Sequence, residues 1–429
     1  MNILHISASD HDGGAAKAAY RIHLALTDEI QKFNSRSHFF ASRRISSDPS
    51  VYTFNNSLSN HIRHWRNRFI AKALDCLQLR SISYRSYAMP GRNIFENLPA
   101  HVTRSPLIIN LHWLGNDSLS IKGIGSLAFP VVWTLHDLWA VLATRHYFED
   151  HKSNLPTDSQ IQASKLKNSS TTDSFLDKYF WNLKARHWNN IKLIIAPSSW
   201  VANLSQSSPL TSHIPVLIIP HPLDLQLWRP YHPIESRRFF GLPERGPLIL
   251  FGAVGGVEDP RKGADLLFES LSLLQDLASV NASIVIFGQS KPAKCEHQLP
   301  LPIRYMAHIS DELTMARLYS ACDVMVVPSR QETFGQTASE AQACGVPVVG
   351  FQVGGLVDIV EQEQTGFLVK PFDSVKLSCA IRRVVTDSKL RHRLSLNART
   401  RAKRLWCHRI VARQYNEAYK YVAGSFFSK

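Results

Sequence analysis

Short apolar runs recur along the chain, each closed by turn residues. In the first half they are Ile3–Ala8, His38–Ala41, Leu107–Leu111, Val131–Leu135, Leu193–Ala196 and Val216–Ile219. In the second half they are Leu248–Phe251, Ser283–Phe287, Ile303–Met306, Val324–Val327, Val346–Phe351 and Phe367–Val369. Many are continuous rather than alternating, which is the pattern of strands buried on both faces. Stretches with helical spacing lie between them, among them Ala15–Leu26, Ala264–Leu277, Ser310–Cys322 and Thr337–Cys344. Alternating strand and helix predicts an α/β fold of doubly wound parallel sheets. Two sets of about six strands predict two Rossmann-like domains. Prolines at 220, 222, 230 and 233 mark the segment between them. The expected division is residues 1–220, 221–405, and a closing helix over 406–429 that returns toward the first domain.

Composition narrows the class. The chain has 429 residues, 44% hydrophobic and 19% charged, a foldable balance rather than a disordered one. Its 49 Lys+Arg against 34 Asp+Glu leave +15, which predicts attraction to anions: nucleotide phosphates, nucleic acid or an acidic membrane face. Two stretches stand out. Ser59–Arg92 interleaves Arg63, Arg66, Arg68, Lys72, Arg80 and Arg85 with Trp65, Phe69 and Tyr84, and Glu149–Thr172 is polar and reads as a surface insertion. A further basic run, Arg382–Arg409, holds ten Lys/Arg against one acid. The six cysteines are scattered, with no CxxC, which argues against a zinc knuckle or disulfide framework and for a reducing compartment. The start, MNILHISASD, reads as a strand rather than a signal peptide. No run of about 18 apolar residues predicts a spanning helix.

Candidate chemistry gathers at strand ends, where doubly wound sheets bind ligands. Gly13 and Gly14 follow the first strand, either as a tight turn or as a place where a ligand meets a helix N-terminus. Asp10-His11-Asp12 spells a DxD that could hold a divalent metal, with no third ligand in view. His136 and Asp137 end the Val131–Leu135 run, and Asn110 and His112 end the one before. In the second half, Gly252, Gly255 and Gly256 lead to Asp259-Pro260-Arg261-Lys262-Gly263. Two cations opening a helix oppose its dipole, and a phosphate between them would reverse that balance. The longest motif is Pro328-Ser329-Arg330-Gln331-Glu332-Thr333-Phe334-Gly335, with Glu340 on the helix that follows. Carboxylates repel phosphate, so Glu332 and Glu340 should meet hydroxyl donors at different parts of one elongated ligand.

Glu-x7-Glu within this motif, followed by Glu340-Ala-Gln-Ala-Cys-Gly-Val-Pro-Val-Val349 and Gly354-Gly355, resembles retaining glycosyltransferase family four. The resemblance is dense from Leu248 to Pro371, with weaker echoes at Gly13-Gly14, Thr134–Asp137 and Pro197-Ser198. The stretches Gly13–Arg21, Asn110–Trp113 and Trp133–Trp139 resemble bacterial exopolysaccharide and colanic-acid-type enzymes. It implies the GT-B fold, two Rossmann-like domains facing a central cleft, with the acceptor on the first and the nucleotide sugar on the second. It implies that Lys262 and Arg261, with the Gly14 and Gly335 amides, hold the donor phosphates. Glu332, with the Phe334 and Gly335 amides, would hold the donor sugar, Glu340 the ribose, and His136 would sit beside the anomeric carbon. His136, Glu332 and Lys262 are thus the catalytic candidates. Two departures bear on this: Gly252-Ala253 stands where the family usually has Gly-Arg, and Glu149–Thr172, the region after His136, has none of the cysteines that relatives with similar flanks often carry there.

The implied reaction is transfer of a sugar from a nucleotide-diphosphate sugar to a glycan or lipid-linked acceptor in bacterial surface polysaccharide synthesis. Neither a metal nor another cofactor is expected, because fixed cations and helix N-termini can neutralise the leaving group. The expected location is the cytoplasm, on the inner face of the plasma membrane if the basic segment meets anionic lipid. The alternative from charge alone is a basic nucleic-acid-binding protein. No helix-turn-helix, zinc-finger or RNP pattern supports it, and nucleic acid is not expected as a partner. A phosphorylase would need a pyridoxal-phosphate lysine, and none is identifiable. A sucrose-type synthase remains open, and a nicotinamide dehydrogenase lacks its glycine fingerprint.

Overall fold

The structure, a computed structural model, describes residues 1–29, 35–54, 65, 94–103, 106–115, 118–148, 175–252, 259–290 and 299–427. Apart from Trp65, the basic-aromatic segment lies outside them, as do Glu149–Thr172, Ala253, Gly255 and Gly256. The described chain forms two compact units, divided between Pro222 and Leu223, and residues from Val411 onward belong to the first.

In the first unit, seven strands form one sheet in the order β3-β2-β1-β4-β5-β6-β7. They are β1 (Asn2–Ser9), β2 (Arg36–Arg43), β3 (Val51–Tyr52), β4 (Leu107–Leu111), β5 (Val131–Thr134), β6 (Ile191–Ala196) and β7 (Val216–Ile218). Every pairing is parallel, so each connection must cross over a face of the sheet. The period-2 geometry of a strand sorts its side chains between two cores. Leu4, Ile6, Leu107, Ile109, Leu111, Val131 and Trp133 point into one cluster. Ile3, Ile108, Val132, Leu193 and Ile195 point into the other. The second cluster is closed by helix Gly14–Asp28 and by helix His408–Phe427. The latter contributes Val411, Ala412, Tyr415, Ala418, Tyr419 and Val422, one apolar stripe at helical spacing. Fully burying one such Val or Ile stabilises by roughly 1.5–3 kcal/mol.

The second unit repeats the plan with six parallel strands, order β10-β9-β8-β11-β12-β13. These are β8 (Leu248–Gly252), β9 (Ser283–Phe287), β10 (Ile303–Met306), β11 (Val324–Val327), β12 (Val348–Phe351) and β13 (Gly366–Val369). Residues of β8, β9, β11 and β12 are buried throughout, which is why their sequences read as unbroken apolar runs. Chain order reverses between β8 and β11, and between β1 and β4 in the first unit. Those reversals place the ligand crevice of each sheet at the carboxyl ends of these strands. The fold is α/β with two parallel sheets, as the apolar pattern predicts. The expected helix Ala264–Leu277 stops at Ser272, and a 3-10 segment Gln275–Val280 follows.

Candidate nucleotide-sugar site

The second unit's reversal point carries the long motif. β11 ends at Val327, and residues 328–335 loop over to helix Gln336–Ala343. Gly335 caps that helix at φ +98°, a left-handed conformation suited to glycine, and a Cβ there would meet Leu356. The Gly354-Gly355 pair has an equally local reason. The Gly355 amide donates to the Glu332 carbonyl at 2.8 Å. A Cβ on Gly354 would fall 2.1 Å from that same oxygen. Gly263, at φ +68°, lets the turn after β8 press against Pro328, whose carbonyl would lie 2.0 Å from an added Cβ. Arg330 clamps the two loops: its amide donates to the Arg261 carbonyl at 2.7 Å, and its guanidinium forks onto Asp265 at 2.6 and 2.8 Å.

Within this frame Lys262 Nζ donates to Glu332 Oε1 at 2.5 Å, and Ser329 Oγ donates to the same oxygen at 3.0 Å. Glu340 lies one turn into the helix and is buried; Tyr319 Oη donates to its Oε2 at 3.1 Å. Phe334 is buried in the core, so its ring packs there rather than facing a ligand. Arg261 forks onto Asp259 at 2.6 and 3.1 Å. Burial pushes the Asp259 carboxyl up, but the Arg261 guanidinium outweighs it and holds the acid below its usual value.

The structure places the two cations differently from the sequence expectation. Arg261 and Lys262 do not open the helix. They sit on a 3-10 turn, Pro260–Lys262, one residue before helix Ala264–Ser272. Their charges are met by Asp259 and Glu332, so charge balance alone does not demand a phosphate between them. Lys262 and Glu332, assigned above to different parts of a ligand, form an ion pair.

In the first unit Gly13, at φ +87°, caps helix Gly14–Asp28. Asp10 is fully buried, and its two oxygens accept from the Ile45 and Ser46 amides, both at 2.9 Å. Asp12 is exposed and meets Arg43 at 3.1 Å. The DxD therefore anchors the end of β2. Among the described residues no group of three or more His, Cys, Asp and Glu could hold a metal ion. Ser198 caps helix Ser199–Ser207, which gives the Pro197-Ser198 echo a structural role.

His136 joins a cluster of imidazoles. His5 Nδ1 lies 2.9 Å from His112 Nε2, and His112 Nδ1 lies 2.9 Å from His136 Nε2. His221 stacks on His136 at 5.0 Å between ring centres. Burial drives His136 down to about 4 and His5, His112 and His221 well below the ordinary histidine value. His5 and His221 were not among the candidates. The one signal for His5 is an imidazole inside the Ile3–Ala8 run. Asp137 accepts from His146 Nδ1 at 2.5 Å and from the Trp139 amide at 2.9 Å, a pairing that nothing in the nine-residue spacing announces. Lys184, fully buried, donates to the Trp139 and Leu142 carbonyls at 2.6 and 2.8 Å and steadies the same loop.

These two sheets, read as a whole, are shared with solved glycosyltransferases. The structure of sucrose-phosphate synthase from Thermosynechococcus elongatus aligns over 99% of this chain and 100% of its own, with TM-score 0.65 at 20% identity. Anabaena HepE in complex with UDP-glucose aligns over 98% of this chain and 99% of its own, with TM-score 0.61 at 18% identity. At such identities the likeness establishes the fold, which is GT-B. Residues 234–401, within the second unit, match the family Glycosyl transferases group 1. The match includes Lys262, Glu332, Gly335 and Glu340. The chain is 32% identical to the D-inositol 3-phosphate glycosyltransferase of Stackebrandtia nassauensis, over 45% of this chain and 46% of that protein. The corresponding enzyme of a Nocardioides species is 33% identical over 47% of each. The chain thus spans about half the length of the curated relatives it matches.

Proposed function

We propose that this protein is a retaining glycosyltransferase. It would carry a sugar from a nucleoside-diphosphate sugar to a glycan or lipid-linked acceptor of a bacterial surface polysaccharide. The observation that carries the reading is the Lys262–Glu332 pair at the β8/β11 reversal, beside a glycine-capped helix holding Glu340. Lys262 has one compact charge and part of its surface open, so it can turn from Glu332 to a β-phosphate. Released from that bond, Glu332 would accept from donor-sugar hydroxyls, with the Phe334 and Gly335 amides beside it, and Glu340 from the ribose. Arg261 contributes less directly, because Asp259 engages its fork. On the same reading the Gly14 amide serves the phosphate and His136 the reacting carbon, each from the first unit.

The bond from the anomeric carbon to the phosphate oxygen breaks as the acceptor oxygen attacks from the same face. The acceptor's proton passes to the departing phosphate. No carboxylate has been identified for the opposite face, so double displacement is not favoured. Leaving-group charge is neutralised by Lys262 and helix N–H groups, and no metal is required. The relatives' names support sugar transfer, and HepE with UDP-glucose supports a nucleotide-sugar donor and makes uridine the first base to try. No described helix is long and apolar enough to cross a membrane; peripheral docking on a cytoplasmic membrane face would rest on the basic surplus.

Thermal shift tests the reading. A nucleotide at ~100 times its Kd stabilises the fold by ~2.7 kcal/mol. At roughly 2–4 °C per kcal/mol for a domain of this size, the shift is readable. UDP or GDP should raise Tm, NAD⁺ should not, and Glu340→Ala should blunt the response. A shift with duplex DNA and with no nucleotide would overturn the proposal in favour of nucleic-acid binding.

A further inference from the structure

Lys262 and Glu332 stand at the centre of the donor site, and each is the other's ion-pair partner. The backbones that bring them together are fixed. The Lys262 amide donates to the Asp259 carbonyl at 2.9 Å, and the Gly355 amide donates to the Glu332 carbonyl at 2.8 Å. The Arg330 amide ties the two loops through the Arg261 carbonyl at 2.7 Å. A change of partner therefore falls to the side chains.

The two side chains are not held equally. Glu332 Oε1 accepts from Lys262 Nζ at 2.5 Å and from Ser329 Oγ at 3.0 Å. Ser329 is buried, and its hydroxyl has a single proton to give. Glu332 thus keeps one donor when Lys262 leaves. The Lys262 side chain is 25% exposed against 10% for Glu332. Its ammonium rides on a flexible four-carbon stem, so Lys262 is the partner that swings.

What then happens at Glu332 depends on the ligand. A diphosphate alone takes Lys262 and brings no donor in exchange. It leaves a largely buried carboxylate one bond short and beside a second anion. Removing one partner of such a pair is costly even where the pair itself contributes little. A nucleotide sugar brings phosphate for Lys262 and hydroxyls for Glu332, so every group changes partner and none loses one.

We propose that the Lys262–Glu332 pair is a latch that couples the phosphate and sugar subsites, opening fully only when a sugar hydroxyl takes the place of the ammonium on Glu332. The inference rests on the proposed function and goes beyond it by making the resting pair a competitor of the phosphate. By linkage, each subsite strengthens binding at the other. The spent diphosphate has no sugar to offer, so the pair re-forms and the product is held less tightly. An ammonium has three N–H donors, and the rival arrangement is a Lys262 that bridges carboxylate and phosphate at once. There the pair would assist the diphosphate, so the two arrangements differ in sign.

Titration calorimetry on the full chain tests the latch, with UDP and UDP-glucose as the first ligands and GDP and GDP-mannose as the second pair. Glu332→Gln keeps the shape of the side chain and removes its charge. UDP should bind this variant ~10-fold more tightly than wild type, the scale of one hydrogen bond to a charged group. UDP-glucose should not share the gain, because its hydroxyls lose a charged acceptor. A merely structural role for Glu332 would move both ligands alike. An equal change in both, or weaker UDP binding, overturns the proposal. In a Lys262→Ala background, Glu332→Gln should no longer tighten UDP. A gain that persists there also overturns the latch and leaves only general charge repulsion. If Glu332→Gln does not fold, Glu332→Ala frees Lys262 in the same way and decides. Failure of every nucleotide to bind the wild type overturns the proposed function and the coupling with it. Binding with an unchanged ratio overturns the coupling alone.

Discussion

The two units build their strand-end sites from opposite electrostatic materials. In the first unit, His5, His112, His136 and His221 are buried, and burial keeps their rings uncharged. In the second, Lys262 meets Glu332, Arg261 meets Asp259 and Arg330 meets Asp265, each pair retaining some access to water. A deeply buried group gives up its charge, whereas a partly exposed ion pair keeps it. One site can therefore meet an anion with fixed charge, and the other presents uncharged imidazoles. On the proposed reading this suits a diphosphate on the second unit and neutral sugar oxygens on the first.

The largest expected effect tests the charged half. Lys262→Ala should lower kcat by ~10²–10³, the range seen when a preorganised transition-state contact is removed. His136→Phe should cost less, ~10-fold, because it removes an uncharged ring worth one ordinary hydrogen bond. Initial rates with the nucleotide sugar found by thermal shift provide the check. A His136 variant as damaged as the Lys262 variant would end the distinction, and normal turnover without Lys262 would remove it from the site.

The difference between the units also explains what could be read in advance. Strands buried on both faces write themselves as apolar runs, so Leu107–Leu111, Ser283–Phe287, Ile303–Met306 and Val324–Val327 have the bounds the pattern gives them. Strand β3 is two residues long and leaves no such run. At the site, Glu332 and Lys262 were recognisable as chemistry-bearing residues but their pairing was not. They lie 70 residues apart and meet because β8 and β11 are neighbours, a fact of sheet order rather than of local sequence. Asp10 was open to a metal-binding reading because its spacing to Asp12 is visible, while the Ile45 and Ser46 amides that occupy it come from a different strand end. His5 carries no mark within the Ile3–Ala8 run, since its partner His112 is 107 positions away.

An intermediate effect concerns acid. His136 and His23 are held at about 4 by burial, below their unfolded value of 6.5. Between those limits the unfolded chain binds protons that the folded one excludes, so their stabilisation is complete above ~6.5 and declines as pH falls toward ~4. In the second unit the shifted carboxyls Asp259 and Asp265 lie below 3.8, so their contribution is complete above ~4 and declines only at lower pH. Hydrogen exchange read by mass spectrometry at pH 7 and pH 5, corrected for intrinsic rates, should show peptides of β1, β4 and β5 losing protection first. Loss beginning in β8 and β11, or equal loss in both sheets, would contradict the assignment of charge states.

The smallest expected effect is that of chelation. Turnover should survive EDTA, because the charge needed at the leaving group is carried by Lys262 and helix N–H groups. Asp10 supplies an internal control. Both of its oxygens are taken by backbone amides, so Asp10→Asn turns one acceptor into a donor that faces an N–H. Losing one such charge-assisted bond costs ~1.5–3 kcal/mol, and the loss should appear as a lower Tm. That loss should be the same with Mg²⁺, with Mn²⁺ or with chelator, since nothing in it involves an ion. If instead wild-type turnover stops in EDTA and returns with Mn²⁺, and Asp10→Asn loses that response, the DxD would be a ligand pair after all. The amide contacts at Ile45 and Ser46 would then have to open to admit the ion.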